Sequence, residues 1–139
     1  MKLLATDMDG TFLRDDKSYS DEFNDLYKQM LKQGIQFVIA SGNQYEALVC
    51  KFDDDIKDDL YYLCENGTKI VYQGKTLYKK ALEKQDAQEV LDILKQDQEC
   101  MLVVSGDKHA YISKSFADKK DFISLFMKNV QFVESYDDI

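Results

Sequence analysis

A chain of 139 residues has room for one domain of ordinary size, or for one domain and part of another. Its hydrophobic share of 45% supports a core and argues against disorder, and a net charge of -8 argues against a nucleic-acid surface, because no basic stripe is there to release counterions. The start of the chain makes no signal peptide, no segment approaches the roughly 20 apolar residues of a membrane helix, and Cys50, Cys64 and Cys100 lack metal-ligand spacing, so the expectation is a soluble, cytoplasmic protein with reduced thiols.

In chain order, "KLLAT" (2–6) reads as a fully buried strand that runs straight into "DMDGTFL". Residues 20–33 read as an amphipathic helix, with Phe23, Leu26, Tyr27, Met30 and Leu31 on one stripe and Gly34 as its stop. "IQFVIA" (35–40) is a second strand; Tyr45, Leu48, Val49 and Phe52 recur at helical spacing; "LYYLC" (60–64) is a third strand. Strands that are continuously apolar predict cover on both faces, hence an α/β fold with a parallel sheet. The pattern then changes. A hairpin is predicted around Gln73-Gly74, a helix through Ala87, Val90, Leu91 and Leu94, and two strands around the turn in "CMLVVSGDKHAYIS". A helix with Phe122, Ile123 and Phe126 and a final strand "VQFV" follow. The shift from βαβ alternation to hairpins falls near residues 80–84.

Asp7 and Asp9 stand where the first strand ends, the ligand-binding edge of an open α/β sheet, and Gly10 permits the turn that would bring both carboxylates to one cavity. A carboxylate can attack phosphorus, and a second can protonate the leaving oxygen and later take a proton from water. Two acids facing an anionic substrate need a cation between them. The competing interpretation of D-x-D-G is a polar turn and nothing more.

"DMDGTFL" after an apolar strand resembles the first motif of the haloacid dehalogenase-like phosphohydrolases. "VIASGNQ" resembles the second, with Ser41 at the end of the second strand, and Asn66-Gly67 in "CENGTKIVY" resembles the Asn-Gly turn of the Cof-type branch. The resemblance implies a Rossmann-like parallel-sheet core over residues 1–82, incomplete here, and the first part of an α/β (C2-type) cap over 83–139. It implies Asp7 as nucleophile and Mg2+ ligand, and Asp9 as general acid/base with its backbone carbonyl on the metal. Ser41 would hydrogen-bond the phosphoryl group, Gly42 and Asn43 would offer amides at the start of a helix, and Thr11 would support the acid or the phosphate. Asn66 would position substrate or only support its turn, and residues 8–19 would form a flap.

The implied function is a magnesium-dependent phosphatase acting on a small phosphorylated metabolite through an aspartyl-phosphate, with no nucleic-acid or membrane partner. A complete member also carries a lysine and a late G-D-x-x-x-D motif beyond the cap, so the resemblance spans all of this chain but about half of a typical member. The alternative is therefore a catalytically incomplete fragment that keeps a phosphate or magnesium site and acts by binding or association. A compact parse would take Lys84 and Gly106-Asp107 as the missing motifs, but Tyr111 stands where the second aspartate belongs. Without neighbours on its outer side, "KLLAT" would expose an apolar edge and promote self-association or swapping. Three further features read as structural: "DDDIKDD" (53–59) as a solvated helix end, His109 as a surface residue, and Tyr61, Tyr62, Tyr72 and Tyr78 as strand packing.

Overall fold

The computed structural model describes residues 2–97, 100–124 and 127–139. The chain divides into two compact units, one ending at Lys80 and the other beginning at Ala81.

The first unit is built on a five-stranded sheet in the order β1-β2-β3-β4-β5. Strands β1 (Lys2–Asp7), β2 (Ile35–Ala40) and β3 (Tyr61–Cys64) are parallel, and β4 (Lys69–Tyr72) and β5 (Lys75–Lys79) continue the sheet antiparallel. Helix α1 (Phe23–Lys32) connects β1 to β2, and the short α2 (Tyr45–Val49) opens the connection from β2 to β3. The β4–β5 turn fits the expected hairpin: Gln73 and Gly74 both adopt positive φ (50° and 67°), the geometry that matches the twist of paired strands.

One cluster holds this unit together. Phe23, Tyr27 and Met30 of α1 and Leu48 of α2 pack with Phe37 and Ile39 of β2, Tyr62 and Cys64 of β3 and Val71 of β4. Burial therefore alternates along β2 and β3, so one sheet face is covered and the other is only partly covered. This corrects the expectation of cover on both faces. β1 departs from its reading as a fully buried strand and agrees with the expectation of an exposed apolar edge: Leu3 is 63% exposed and Leu4 45% exposed. Its apolar composition matches a central strand, but among the described residues β1 is the outermost strand of the five and pairs with β2 alone. Leu26, placed on the helix stripe, is likewise exposed.

The aspartates of the acidic run 53–59 are exposed around a buried Ile56, and several are engaged. Asp53 accepts from Asn24 Nδ2 (2.6 Å) and from the Tyr19 hydroxyl (3.2 Å), Asp55 pairs with Lys28, and Asp54 pairs with Lys57. The Asp53 and Asp55 contacts tie the loop before β3 to α1 and the residues that lead into it, while the Asp54–Lys57 pair lies within the loop.

The second unit contains α3 (Lys84–Leu94), α4 (Lys120–Ser124) and a three-stranded sheet, β6 (Val103–Ser105), β7 (Ala110–Ser113) and β8 (Val130–Val133). β6 and β7 are antiparallel, while β7 and β8 run parallel through the α4 crossover. The core is small, with Ala110, Ile112 and Ile123 buried, and α3 buries no residue completely. Phe126, expected in the last helix, lies outside the described residues. Gly106 and Asp107 sit in the β6–β7 turn, where Gly106 N–H donates to His109 O at 2.8 Å. A Cβ at Gly106 would approach the Tyr111 ring to 2.8 Å, so the glycine serves the hairpin. With Asp107 in an antiparallel turn of a separate sheet, the compact parse of the late motif falls.

Candidate active site at the carboxyl edge of the parallel strands

The register Asp7↔Ala40 and Ala40↔Leu63 levels the carboxyl ends of β1, β2 and β3. The segments that leave this edge are 7–10, 41–43 and 64–67, so three loops distant in sequence converge there. The first is a tight turn. Asp7 is extended, Met8 is fully buried and pins the turn to the core, and Gly10 adopts φ 74°. Space around Gly10 is open, so the left-handed backbone, and not crowding, calls for glycine. Leu13 N–H closes the turn on Met8 O at 2.8 Å.

Asp9 is the focus of the side-chain contacts. Lys17 Nζ donates to Oδ1 at 2.8 Å and Asn43 Nδ2 to Oδ2 at 3.2 Å, so both carboxylate oxygens are engaged. Its carboxyl is held below the usual carboxylate range, first by the Lys17 hydrogen bond, against a smaller opposing effect of burial. The Lys17 charge, the Asn43 hydrogen bond and the more distant Lys51 charge lower it further.

The second loop is locked to the third. Ser41 N–H donates to Leu63 O (2.9 Å), Asn66 N–H to Ser41 O (3.2 Å) and Glu65 N–H to Asn43 O (3.1 Å). Holding these bonds places Glu65, Asn66 and Gly67 in succession at positive φ (51°, 57° and 91°), a costly backbone for Glu65 in particular. A Cβ at Gly42 would lie 3.1 Å from Asn66 Oδ1, so glycine here lets the two loops close on each other.

The structure thus brings Asp9, Ser41, Gly42, Asn43 and Asn66 into one contact network, with Asp7 exposed at the end of β1 beside it. Thr11 is exposed in the turn, and no hydrogen bond among the described residues joins it to Asp7, Asp9 or Ser41. The expected helix start is corrected. Gln44 is extended and caps α2, which begins only at Tyr45, so residues 41–43 precede the helix. The Asn43 amide is already donated to Ser41 Oγ at 3.1 Å, leaving the Asn43 side chain as the group that reaches across the site. Sequence reasoning missed that reach, and it missed Lys17 altogether. Neither has a periodic signal, because both contacts depend on chain reversals, over eight residues for Lys17 and between two strands for Asn43.

A model of the haloacid dehalogenase-like hydrolases matches residues 4–139. The chain belongs to that family. Similar proteins place this haloacid dehalogenase-like chain against longer ones. It is 36% identical over 141 residues to 5-amino-6-(5-phospho-D-ribitylamino)uracil phosphatase YbjI of Escherichia coli (strain K12), a match that covers 100% of this chain and 52% of that protein. The structure of SMU.1108c from Streptococcus mutans UA159 superposes with a TM-score of 0.89 at 29% identity, over 98% of this chain and 52% of that one. A haloacid dehalogenase-like hydrolase from B. subtilis shares the fold (TM-score 0.81, 18% identity, 99% of this chain and 56% of that one). The chain spans about half the length of these relatives.

The turn that follows β1 carries hard oxygen donors. The Asp7 carboxylate is exposed and free of side-chain hydrogen bonds among the described residues, and Asp9 lies two residues on in the turn that follows. Carboxylate and carbonyl oxygens suit Mg2+, which keeps several water ligands and needs few from protein. No three His, Cys, Asp or Glu side chains converge to hold a metal ion among the described residues. No helix among the described residues is long and apolar enough to cross a membrane.

Proposed function

We propose that this chain carries the nucleophile half of a magnesium-dependent phosphatase site acting on small phosphate esters in the cytoplasm. The observation that carries the proposal is the convergence of Asp9 with Asn43 (3.2 Å) beside Asp7, at the carboxyl edge of the parallel strands. Residues 83–139 are read as the first part of a C2-type cap. The phosphatase named among its relatives, at 36% identity, supports the reaction class.

In this reading the Asp7 carboxylate attacks phosphorus in line with the ester oxygen, and the bond from phosphorus to that oxygen breaks as an aspartyl-phosphate forms. Asp9 gives its proton to the departing oxygen. It then takes a proton from water, which attacks phosphorus, releases inorganic phosphate and restores Asp7. Asp9 must therefore begin protonated. Lys17 opposes this when paired with it, and a phosphate dianion at the site acts in the other direction. Ser41 Oγ, which accepts from the Asn43 amide, would donate its hydroxyl proton to a phosphoryl oxygen. A magnesium ion held by the Asp7 carboxylate and the Asp9 carbonyl would supply positive charge to offset the accumulated negative charge. The test is release of phosphate from an aryl phosphate with magnesium at high enzyme concentration. Asp7→Asn is expected to lower it by roughly 10²-fold or more. Turnover no greater than that of Asp7→Asn retires the enzymatic reading for the 139-residue chain and leaves the alternative, binding alone.

A further inference from the structure

The site poses an electrostatic problem. Asp7 and Asp9 are acidic and Ser41 and Asn43 are neutral, yet the ligand class proposed for it is a dianion. Arg14 does not answer the problem, because its guanidinium is turned to Ser18 Oγ (3.3 Å) and Tyr19 O (2.9 Å) within its own loop. Lys51 acts on Asp9 through space. Lys17 is different: its ammonium makes direct contact with Asp9 at 2.8 Å.

The fold builds that contact from the core outward. Leu13 is buried, the Phe12 ring meets Phe23 and Phe37, and Tyr19 stacks on Phe52, so both ends of the 13–19 loop stand on the aromatic cluster. Between those anchors Arg14 N–H donates to Ser18 O (2.8 Å) and Lys17 N–H to Arg14 O (2.9 Å). Asp16 Oδ1 accepts from the Ser18 amide (2.9 Å) and hydroxyl (2.6 Å). Lys17 itself adopts φ 66°, and its side chain turns back onto an acid eight residues earlier. An exposed ion pair does little for folding. An ammonium has three donors, one of which meets Asp9, and the side chain remains 57% exposed, so the others face the solvent from which a ligand arrives.

We propose that Lys17 is a phosphate-binding cation of this site, delivered by the 13–19 loop and shared between Asp9 and a phosphoryl oxygen of a phosphomonoester. The proposal rests on the phosphatase reading and adds a substrate-touching residue to it. Lys17 then offsets charge beside Asp9, and the loop that carries it is part of the binding surface.

The experiment measures inorganic phosphate binding to the 139-residue chain in magnesium buffer, from amide shifts of residues 41–43. Wild type is compared with Lys17→Met, Lys17→Arg, Lys51→Met and Ser41→Ala, each checked for a native-like spectrum before titration. Lys17→Met is expected to weaken binding about tenfold or more, since a charged hydrogen bond is lost, with Lys17→Arg within a few-fold of wild type. Wild-type affinity in Lys17→Met, with Ser41→Ala weakened, overturns the role of Lys17 and leaves the phosphatase reading standing. An equal loss in Lys51→Met and Lys17→Met also overturns it, because a diffuse positive field would then hold the anion. No phosphate-dependent shift at residues 41–43 in wild type overturns this inference and the phosphate-site reading together.

Discussion

Leu3 and Ile39 belong to neighbouring strands of one sheet, and truncating them to alanine should have very different effects. Ile39 is completely buried in β2, among the side chains of α1, α2 and β3. Ile39→Ala removes buried carbons that neighbouring strands and helices hold too rigidly to fill, a change expected to cost about 3–4 kcal/mol. Leu3 is 63% exposed, so about a third of its surface is covered. A fully buried leucine gains ~1.5–3 kcal/mol over an exposed one, so Leu3→Ala should cost no more than about 1 kcal/mol. The two units can unfold separately, so the assay is a urea titration followed by amide resonances of residues 35–40 and 61–64, which report the first unit alone. With a urea slope of about 2 kcal/mol/M, Ile39→Ala lowers the midpoint by about 1.5–2 M and Leu3→Ala by less than ~0.5 M. Equal losses would refute the reasoning, because the Leu3 side chain would then be packed as closely as that of Ile39.

Three other outcomes follow from the same geometry. The open edge of β1 is proposed to drive association, so light scattering should show mass rising with protein concentration; a strict monomer whose amides at residues 3–6 resist exchange would refute this. Burial pushes the Cys64 thiol up to about 12, so a thiol reagent at pH 8 should label Cys50 and Cys100 and reach Cys64 only in denaturant. Equal labelling of all three in the folded chain would contradict the packing of β3. The lowered carboxyl of Asp9 makes the Lys17 pair stabilising above its unfolded value, near pH 4, and this contribution disappears as pH falls through the lowered folded value. Wild type and Lys17→Met should therefore differ slightly in stability at neutral pH and converge in acid; a gap that widens on acidification would contradict the pairing.

The order of elements was legible because each has its own local signal. "IQFVIA" is apolar at every position but Gln36 and forms β2 over those residues, Gln73-Gly74 has the residues its turn requires, and Phe23, Tyr27 and Met30 recur at the spacing that buries them. The motif residues Asp7, Asp9, Ser41 and Asn66 were legible for a similar reason: each lies at the end of a parallel strand or within two residues of it, and parallel strands deliver their carboxyl ends to one edge. What a strand meets on its other side leaves no local signal. "KLLAT" has the composition of a buried strand, and only the sheet order makes it an exposed edge. The same holds for the contacts at Asp9. Composition and spacing determine that an acid follows the first strand at a turn. Which cation and which amide meet that acid was decided by the 13–19 loop folding back and by the locking of residues 41–43 to 65–66, since hydrogen bonds between distant segments depend on where the backbone carries them.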